Sequence, residues 1–320
     1  MSSERLVHIV DEITGLDGVD EVPMIVALDG FLDAGTSSAL AARHLAALSD
    51  GGSVVATFDV DQFHDYRARR PAISFVRDHY EQYDAPRLVV RLLRDAGGTP
   101  YLLLHGPEPD NRWEAFTRAV REVIERLGVT LTVSLGSVPM AVPHTRPIAV
   151  THHGTNPDLL VGENPWDGEL RVPSSAQALL ELRLGEWGHD AVGFVAHIPH
   201  YLAQLEYPQA SAVLLDQVER TAKLTLDLSA LHDAAAEREE EITRYLAGNE
   251  EVGEVVASLE RQYDSFAQAE ESGANLLAED QPLPTGDEIG RQFEQFLAGL
   301  EGPDTPPDTP DTPDTAEDDT

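Results

Sequence analysis

The sequence predicts a three-layer α/β/α sandwich on a mostly parallel, mixed sheet, followed by C-terminal helices. Three observations lead there. Short apolar runs alternate with amphipathic stretches through the first two-thirds of the chain, the rhythm of strand and helix in turn. Several runs are β-branched and almost continuously apolar, as strands are when helices cover both faces. One pair breaks the rhythm: Leu88–Leu93 and Tyr101–His105 are joined through Asp95-Ala96-Gly97-Gly98, a hairpin signal that puts an antiparallel pair into the sheet.

In chain order, strands are expected at Leu6–Val10, Met24–Leu28 and Val54–Val60, then at the hairpin pair, and finally at Thr130–Leu135, Ile148–Thr151 and Ala191–Ala196. Between them lie helical patterns. Thr36–Leu48 sets Leu40, Leu45 and Leu48 in an alanine-rich frame. Trp113–Leu127 aligns Trp113, Phe116, Val120, Val123, Ile124 and Leu127 on one stripe. Ser174–Glu186 opens with Ser174 or Ser175 as the N-cap and Gln177 near the capping-box position. Parallel neighbours joined by helices imply helices on both sheet faces.

Beyond about Ser229 the pattern becomes helical. Ser229–Gly248 carries Leu231, Ala235, Ile242, Tyr245 and Leu246; Val252–Gln268 carries Val255, Val256, Leu259, Tyr263 and Phe266; Asp287–Leu300 carries Ile289, Phe293, Phe296, Leu297 and Leu300. From Pro303 onward, Pro-Asp-Thr units supply seven acids and no base, a composition that cannot bury a core. The expected division is a core domain over 1–228, a helical extension over 229–300 and a disordered acidic tail over 301–320.

Composition narrows function. The 320 residues include 57 acids against 22 bases, a net charge of −35, with Lys223 the single lysine and no cysteine. That field repels phosphate backbones and anionic lipid, so neither nucleic acid nor a membrane surface is expected as a partner. Thiolate nucleophiles, iron–sulfur clusters and cysteine zinc sites are excluded. The opening residues carry acids where a signal peptide needs an apolar run, and no run approaches the length of a membrane span, so the expected compartment is the cytoplasm.

Three constellations could carry chemistry. Asp29-Gly30-Phe31-Leu32-Asp33-Ala34-Gly35 lies at a strand end before a helix, where open α/β sheets place ligands. It lacks a glycine-rich phosphate fingerprint, and two aspartates would compete with a phosphate. It is therefore either a ligand loop or a turn in which Asp33 satisfies helix amides. Asp65-Tyr66-Arg67-Ala68-Arg69-Arg70-Pro71 is the most basic stretch: a catalytic or anion-binding patch or, as expected in so acidic a chain, an intramolecular or intersubunit ion-pair cluster. His144, His152, His153, His197 and His200 fall near expected strand ends, but no H-E-x-x-H occurs and Pro199 separates His197 from His200, so loop histidines are the default and no metal or other cofactor is expected. Leu135-Gly136-Ser137-Val138-Pro139 fails as a nucleophile elbow.

The order of these motifs resembles the proteasome assembly chaperone 2 family, in its long actinobacterial form. The similarity spans roughly Pro23 to Leu231. It rests on the Asp29–Gly35 turn, Asp65–Pro71, Leu104-His105-Gly106-Pro107-Glu108-Pro109-Asp110 before Trp113, Leu135-Gly136, Pro143-His144-Thr145-Arg146-Pro147, Pro199-His200-Tyr201 and Pro208. The resemblance implies a nucleoside-phosphorylase-like fold, a homo-oligomer (a trimer) and relatives that help to assemble proteasome core particles. Some such relatives dock through a C-terminal hydrophobic-Tyr-any tripeptide, which Glu317-Asp318-Asp319-Thr320 does not provide. The family has also been grouped with ATP-grasp ligases, whose nucleotide sites need lysines; a single lysine in 320 residues argues against that chemistry here.

The expected function is therefore a non-enzymatic protein-binding module with a protein partner, proteasome-related by resemblance. Its binding loops would use Asp29, Gly30, Asp33, Gly35, Arg67, Arg70, His144, Arg146, His200 and Tyr201. The alternative is a phosphorylase- or hydrolase-like enzyme using Asp29, Asp33, His144 and His200 on a small molecule, and a third is a salt-adapted structural protein. No catalytic residue is singled out by the sequence.

Overall fold

Strand alternation dictates the core. In Pro23–Asp29 (β2), Ile25 and Ala27 point to one side of the sheet and Met24, Val26 and Leu28 to the other, and all are buried. Each Ile, Val, Leu or Met side chain withdrawn in this way contributes ~1.5–3 kcal/mol. The computed structural model describes residues 5–16, 18–49, 51–160 and 169–271. Met1–Ser265 forms one compact unit and Phe266–Thr320 a second. The expected helix at Asp287–Leu300 and the acidic tail lie outside the described residues.

The other strands are β1 (Val7–Ile9), β3 (Ser53–Phe58), β4 (Ser74–Val76), β5 (His79–Glu81), β6 (Val89–Arg94), β7 (Pro100–Pro107), β8 (Leu131–Met140), β9 (Val150–Gly154) and β10 (Ala191–Pro199). The helices are α1 (Ser37–Leu48), α2 (Trp113–Leu127), α3 (Ala176–Glu186), α4 (Pro208–Ala222), α5 (Ser229–Ala247) and α6 (Glu250–Glu271). The main sheet has eight strands in the order β1-β3-β6-β7-β2-β8-β10-β9. β7, β2, β8 and β10 are mutually parallel at its centre, flanked by antiparallel β6, β3 and β1 on one side and β9 on the other. β3 points the same way as the central four, so five of the eight strands share a direction. The eight expected strands are the eight of this sheet, and the expected hairpin is the β6–β7 pair, closed by the Asp95 amide on the Thr99 carbonyl (3.0 Å).

Helices α1, α4 and α5 cover one face, packing Leu45, Leu214, Leu215, Val218, Leu231 and Ile242 over the sheet. Helices α2 and α3 cover the other with Phe116, Val120, Val123, Leu180 and Leu184. Three layers result, as expected. On the α2 side, Phe63 meets Phe58 and Phe116 edge-on and Phe58 is tilted against Phe116, with ring centroids 5.7–6.4 Å apart. No described helix is long and apolar enough to cross a membrane.

The sequence reading departs from the structure in three places. Helix α4 was not anticipated, because its first turn, Pro208-Gln209-Ala210-Ser211, holds no large apolar side chain and only Leu214, Leu215 and Val218 draw its stripe. The β4–β5 hairpin was not anticipated either: its strands are three residues long and mostly exposed, so they carry no burial period, and its turn uses Arg77 at φ 56° rather than a glycine. Gln177 does not complete a capping box. Ser175 is the N-cap of α3, accepting from the Ala178 amide at 3.0 Å, so Gln177 falls one residue short of the required position. Its buried amide instead donates to the Leu135 carbonyl at 2.9 Å, tying α3 to β8.

The phenylalanine trio makes the first prediction: Phe116→Ala should cost about 3–5 kcal/mol in denaturant unfolding, because the cavity opens beneath two further rings. A loss below ~1 kcal/mol would show that this layer is not packed as described.

Candidate functional site

Because β3 runs with the four central strands, the loops after β3, β7, β2, β8 and β10 gather at one edge of the sheet. The sequence-predicted residues lie on these loops. They fall into two groups, one around Glu108 and one around Tyr201.

The β2–α1 turn is held from inside. Asp33 Oδ1 accepts the Ser38 amide at 2.6 Å, capping α1, which is the structural of the two readings given to this turn. Gly35 adopts φ 66°, a conformation that side chains resist. Its amide donates to the Ala203 carbonyl (2.7 Å) and its carbonyl accepts from Tyr207 (2.9 Å), fastening the turn to the loop after β10. Burial pushes the Asp33 carboxyl up to about 7; the Asp29 charge adds to this, and the amides of Ser38 and Ala39 oppose it. Asp29, the last residue of β2, is also raised, by desolvation against the pull of Arg43 and Arg69.

Glu108 organises the next shell. Its Oε2 accepts the Phe31 amide (2.8 Å) and its Oε1 accepts the Ala176 amide at the start of α3 (2.7 Å). One carboxylate thus bridges the loop after β2 and a helix N-terminus on the opposite layer. Gly30 makes this possible, since a Cβ there would occupy the Glu108 side chain. Beside it, Arg69 pairs with Asp110 (2.8 Å) and donates to the Glu108 carbonyl. Phe63 O accepts from Asp110 N (2.8 Å) and Asn111 N (3.1 Å), so the loop after β3 is stitched onto the 107–112 turn. The ion-pair reading of the basic stretch holds for Arg69, which the sequence passed over in favour of Arg67 and Arg70. Arg67 and Arg70 are both exposed.

In the second group, the Tyr201 hydroxyl accepts the His144 amide at 2.9 Å and lies 2.7 Å from His144 Nδ1. His200 stands edge-on to Tyr201, centroids 5.4 Å apart. Burial lowers the affinity of His144 for a proton, against the pull of Glu239 and Glu260, and pushes the Tyr201 hydroxyl up to about 12. Arg146 reaches α6, where Nε and Nη2 each lie 2.8 Å from an Asp264 oxygen and Glu260 sits at 3.4 Å. It fixes α6 to the loop after β8.

The histidines do not converge. His152 stacks edge-on with Phe194, while its neighbour His153 turns to the opposite sheet face and holds Glu181 at 2.7 Å; His197 meets Thr151 at 2.8 Å. Among the described residues, no three His, Asp or Glu side chains are placed to hold a metal ion. Asp29 and Asp33 share one loop, and His144 and His200 meet through Tyr201. Neither of two described cavities joins the pairs: one lies between Phe63, His64, Leu88 and Glu108, the other along α5 beside Glu239 and Glu240.

The sequence profile of the PAC2 family matches residues 27–246. No protein of curated function matches the chain. A Mycobacterium tuberculosis protein of unknown function is 46% identical, with TM-score 0.80, over 84% of this chain and 94% of its own. A Corynebacterium glutamicum protein of unknown function is 35% identical, with TM-score 0.77, over 82% and 98%. A proteasome-assembly chaperone homologue of M. tuberculosis is 29% identical, with TM-score 0.65, over 73% and 100%.

Two predictions follow from this geometry. Gly30→Ala should expel the Glu108 carboxylate and speed amide exchange at both Phe31 and Ala176, and Glu108→Ala should reproduce the effect; protection retained at both amides would refute the bridge. Because the folded Asp33 carboxyl titrates above its ordinary value of 3.8, folding binds a proton between about pH 4 and pH 7. Its contribution to stability is therefore greatest at low pH and declines as pH rises through about 7. Asp33→Asn should flatten that part of the stability–pH curve, and an unchanged slope would reject the shift.

Proposed function

This chain belongs to the PAC2 family, and from that premise we propose that it is a cytoplasmic, non-enzymatic protein-binding module of the proteasome-assembly-chaperone kind. The observation that carries this reading is Phe31. It is 60% exposed at the tip of the loop after β2, yet its backbone is pinned by Glu108. A preorganised aromatic side chain loses little entropy on docking and is the residue type that anchors protein interfaces. The partner we assign is proteasome-related, in keeping with the similar chaperone homologue. In this reading residues 1–228 form the binding core, which α5 and α6 extend.

We further assign self-association, as a trimer, to the β4–β5 hairpin. Phe75 and Tyr80 pair at 5.1 Å but remain 62% and 69% exposed, with Ile73 and Tyr83 beside them. Two isolated three-residue strands are marginal on their own, so a second surface would stabilise them.

Both assignments are open to direct measurement. Purified protein should co-sediment with purified proteasome core particles or their unassembled subunits, and Phe31→Glu should weaken this at least ~10-fold with an unchanged melting temperature. No co-sedimentation, or equal binding by the variant, would reject the docking role. In sedimentation velocity, wild type should run as a trimer and the double variant Phe75→Ser, Tyr80→Ser as a monomer; identical profiles would remove the hairpin from the interface.

A further inference from the structure

The turn after β3 contains a buried histidine that none of the binding roles above uses. The His64 side chain is 6% exposed. Its Nε2 lies 2.9 Å from the Arg69 carbonyl oxygen. A carbonyl only accepts, so Nε2 carries a hydrogen in either charge state of the ring. In the neutral ring Nδ1 is therefore a bare acceptor. It is buried, it has no hydrogen-bond partner, and the nearest charged oxygen is Asp110 Oδ2 at 3.7 Å. Acceptor faces acceptor, an arrangement that carries a desolvation penalty and gains nothing. A proton on Nδ1 turns the same geometry into a charge-assisted donor aimed at a carboxylate.

The surroundings are otherwise committed. From the 107–112 turn, Asp110 holds Arg69 and accepts the Asp65 amide (2.7 Å), while Glu108 is engaged by Phe31 and Ala176. From the histidine's own loop, Tyr66 stands edge-on at 4.7 Å with its hydroxyl on Asp61, and Asp65 Oδ1 accepts the Arg67 amide. Arg69 opposes a second positive charge, and Asp110 favours it. Although burial works against ionisation, Arg69, the Asp65 amide and His64 together hold the Asp110 carboxyl below its usual range, so it stays charged wherever histidines titrate.

We propose that His64 is a proton-operated latch: protonated at Nδ1, it closes onto Asp110 and tightens the turn bearing Arg67 and Arg70 against the 107–112 turn; neutral, it withdraws that contact and leaves the turn on the Arg69 and Asp65 bonds to Asp110. The turn leads directly into the β4–β5 hairpin, so the latch sets how rigidly both are presented. It operates whether or not that surface binds a partner. The direction follows from the geometry: the latch holds while Nδ1 carries its proton and is lost as rising pH removes it.

Amide exchange of the intact protein, corrected for intrinsic rates, provides the test. Between about pH 5.5 and pH 8 the amides of Asp65 and Arg67 should lose protection by roughly fivefold, in step with the His64 ring resonances. His64→Gln, which keeps a donor for the Arg69 carbonyl but does not titrate, should give protection independent of pH. In Asp110→Asn the amides should no longer follow the ring. Flat protection in the wild type, which requires no variant to fold, or an undiminished pH response in His64→Gln would overturn the latch.

Discussion

The Glu108 carboxylate is the constraint on which the loop-bearing end of the sheet depends. It accepts one amide from the loop after β2 and one from the first turn of α3, so it joins the sheet edge to a helix of the layer on the far side from α1. An ionised acceptor serving two backbone donors is worth more than a neutral one, and leaving either donor unpaired would add a desolvation cost of about 1–3 kcal/mol. The bridge requires a missing side chain at Gly30. It also requires β7 to end level with β2, which their register provides by setting Asp29 opposite Pro107. Sheet register, a glycine and a carboxylate thus fix one loop tip, and Phe31 stands on that tip.

The sheet was legible because burial on both faces leaves a strong local signature: runs such as Met24–Leu28 and Tyr101–His105 are apolar at nearly every position. Helix α2 was equally legible, its boundaries set by the apolar stripe and by Gly128 at φ 68° beyond its last turn. Elements lacking such a signature went unread. Three of the seven buried residues of α4 are alanine or serine, and the β4–β5 hairpin buries almost nothing.

The site was legible only as a set of loops. Arg67, Arg69 and Arg70 are alike in sequence, and the contact of Arg69 with Asp110, a residue 41 positions away, is what distinguishes it. Glu108 appeared within a motif but not among the expected binding residues, because its partners are two amides, 77 and 68 residues distant, that leave no mark on side-chain composition. Arg146 is among the expected binding residues, and its side chain holds α6, a contact that no pattern around position 146 encodes.

The acidity of the chain acquires a role through these contacts. Ion pairs such as Arg43 with Glu206 and Arg126 with Asp11 are exposed, and pairs of that kind contribute about 0–1 kcal/mol each, so they do not explain an excess of 35 negative charges. An excess of that size acts at long range. It keeps copies of the chain soluble and repels other acidic surfaces, and it selects for a short-range attraction strong enough to overcome it. Rigid, exposed aromatic groups meet that requirement, because burial of a ring does not depend on the sign of the partner's charge. Phe31 on its pinned loop and the Phe75–Tyr80 pair on the hairpin are exposed aromatic groups of that kind, which is why the proposed contacts are assigned to them.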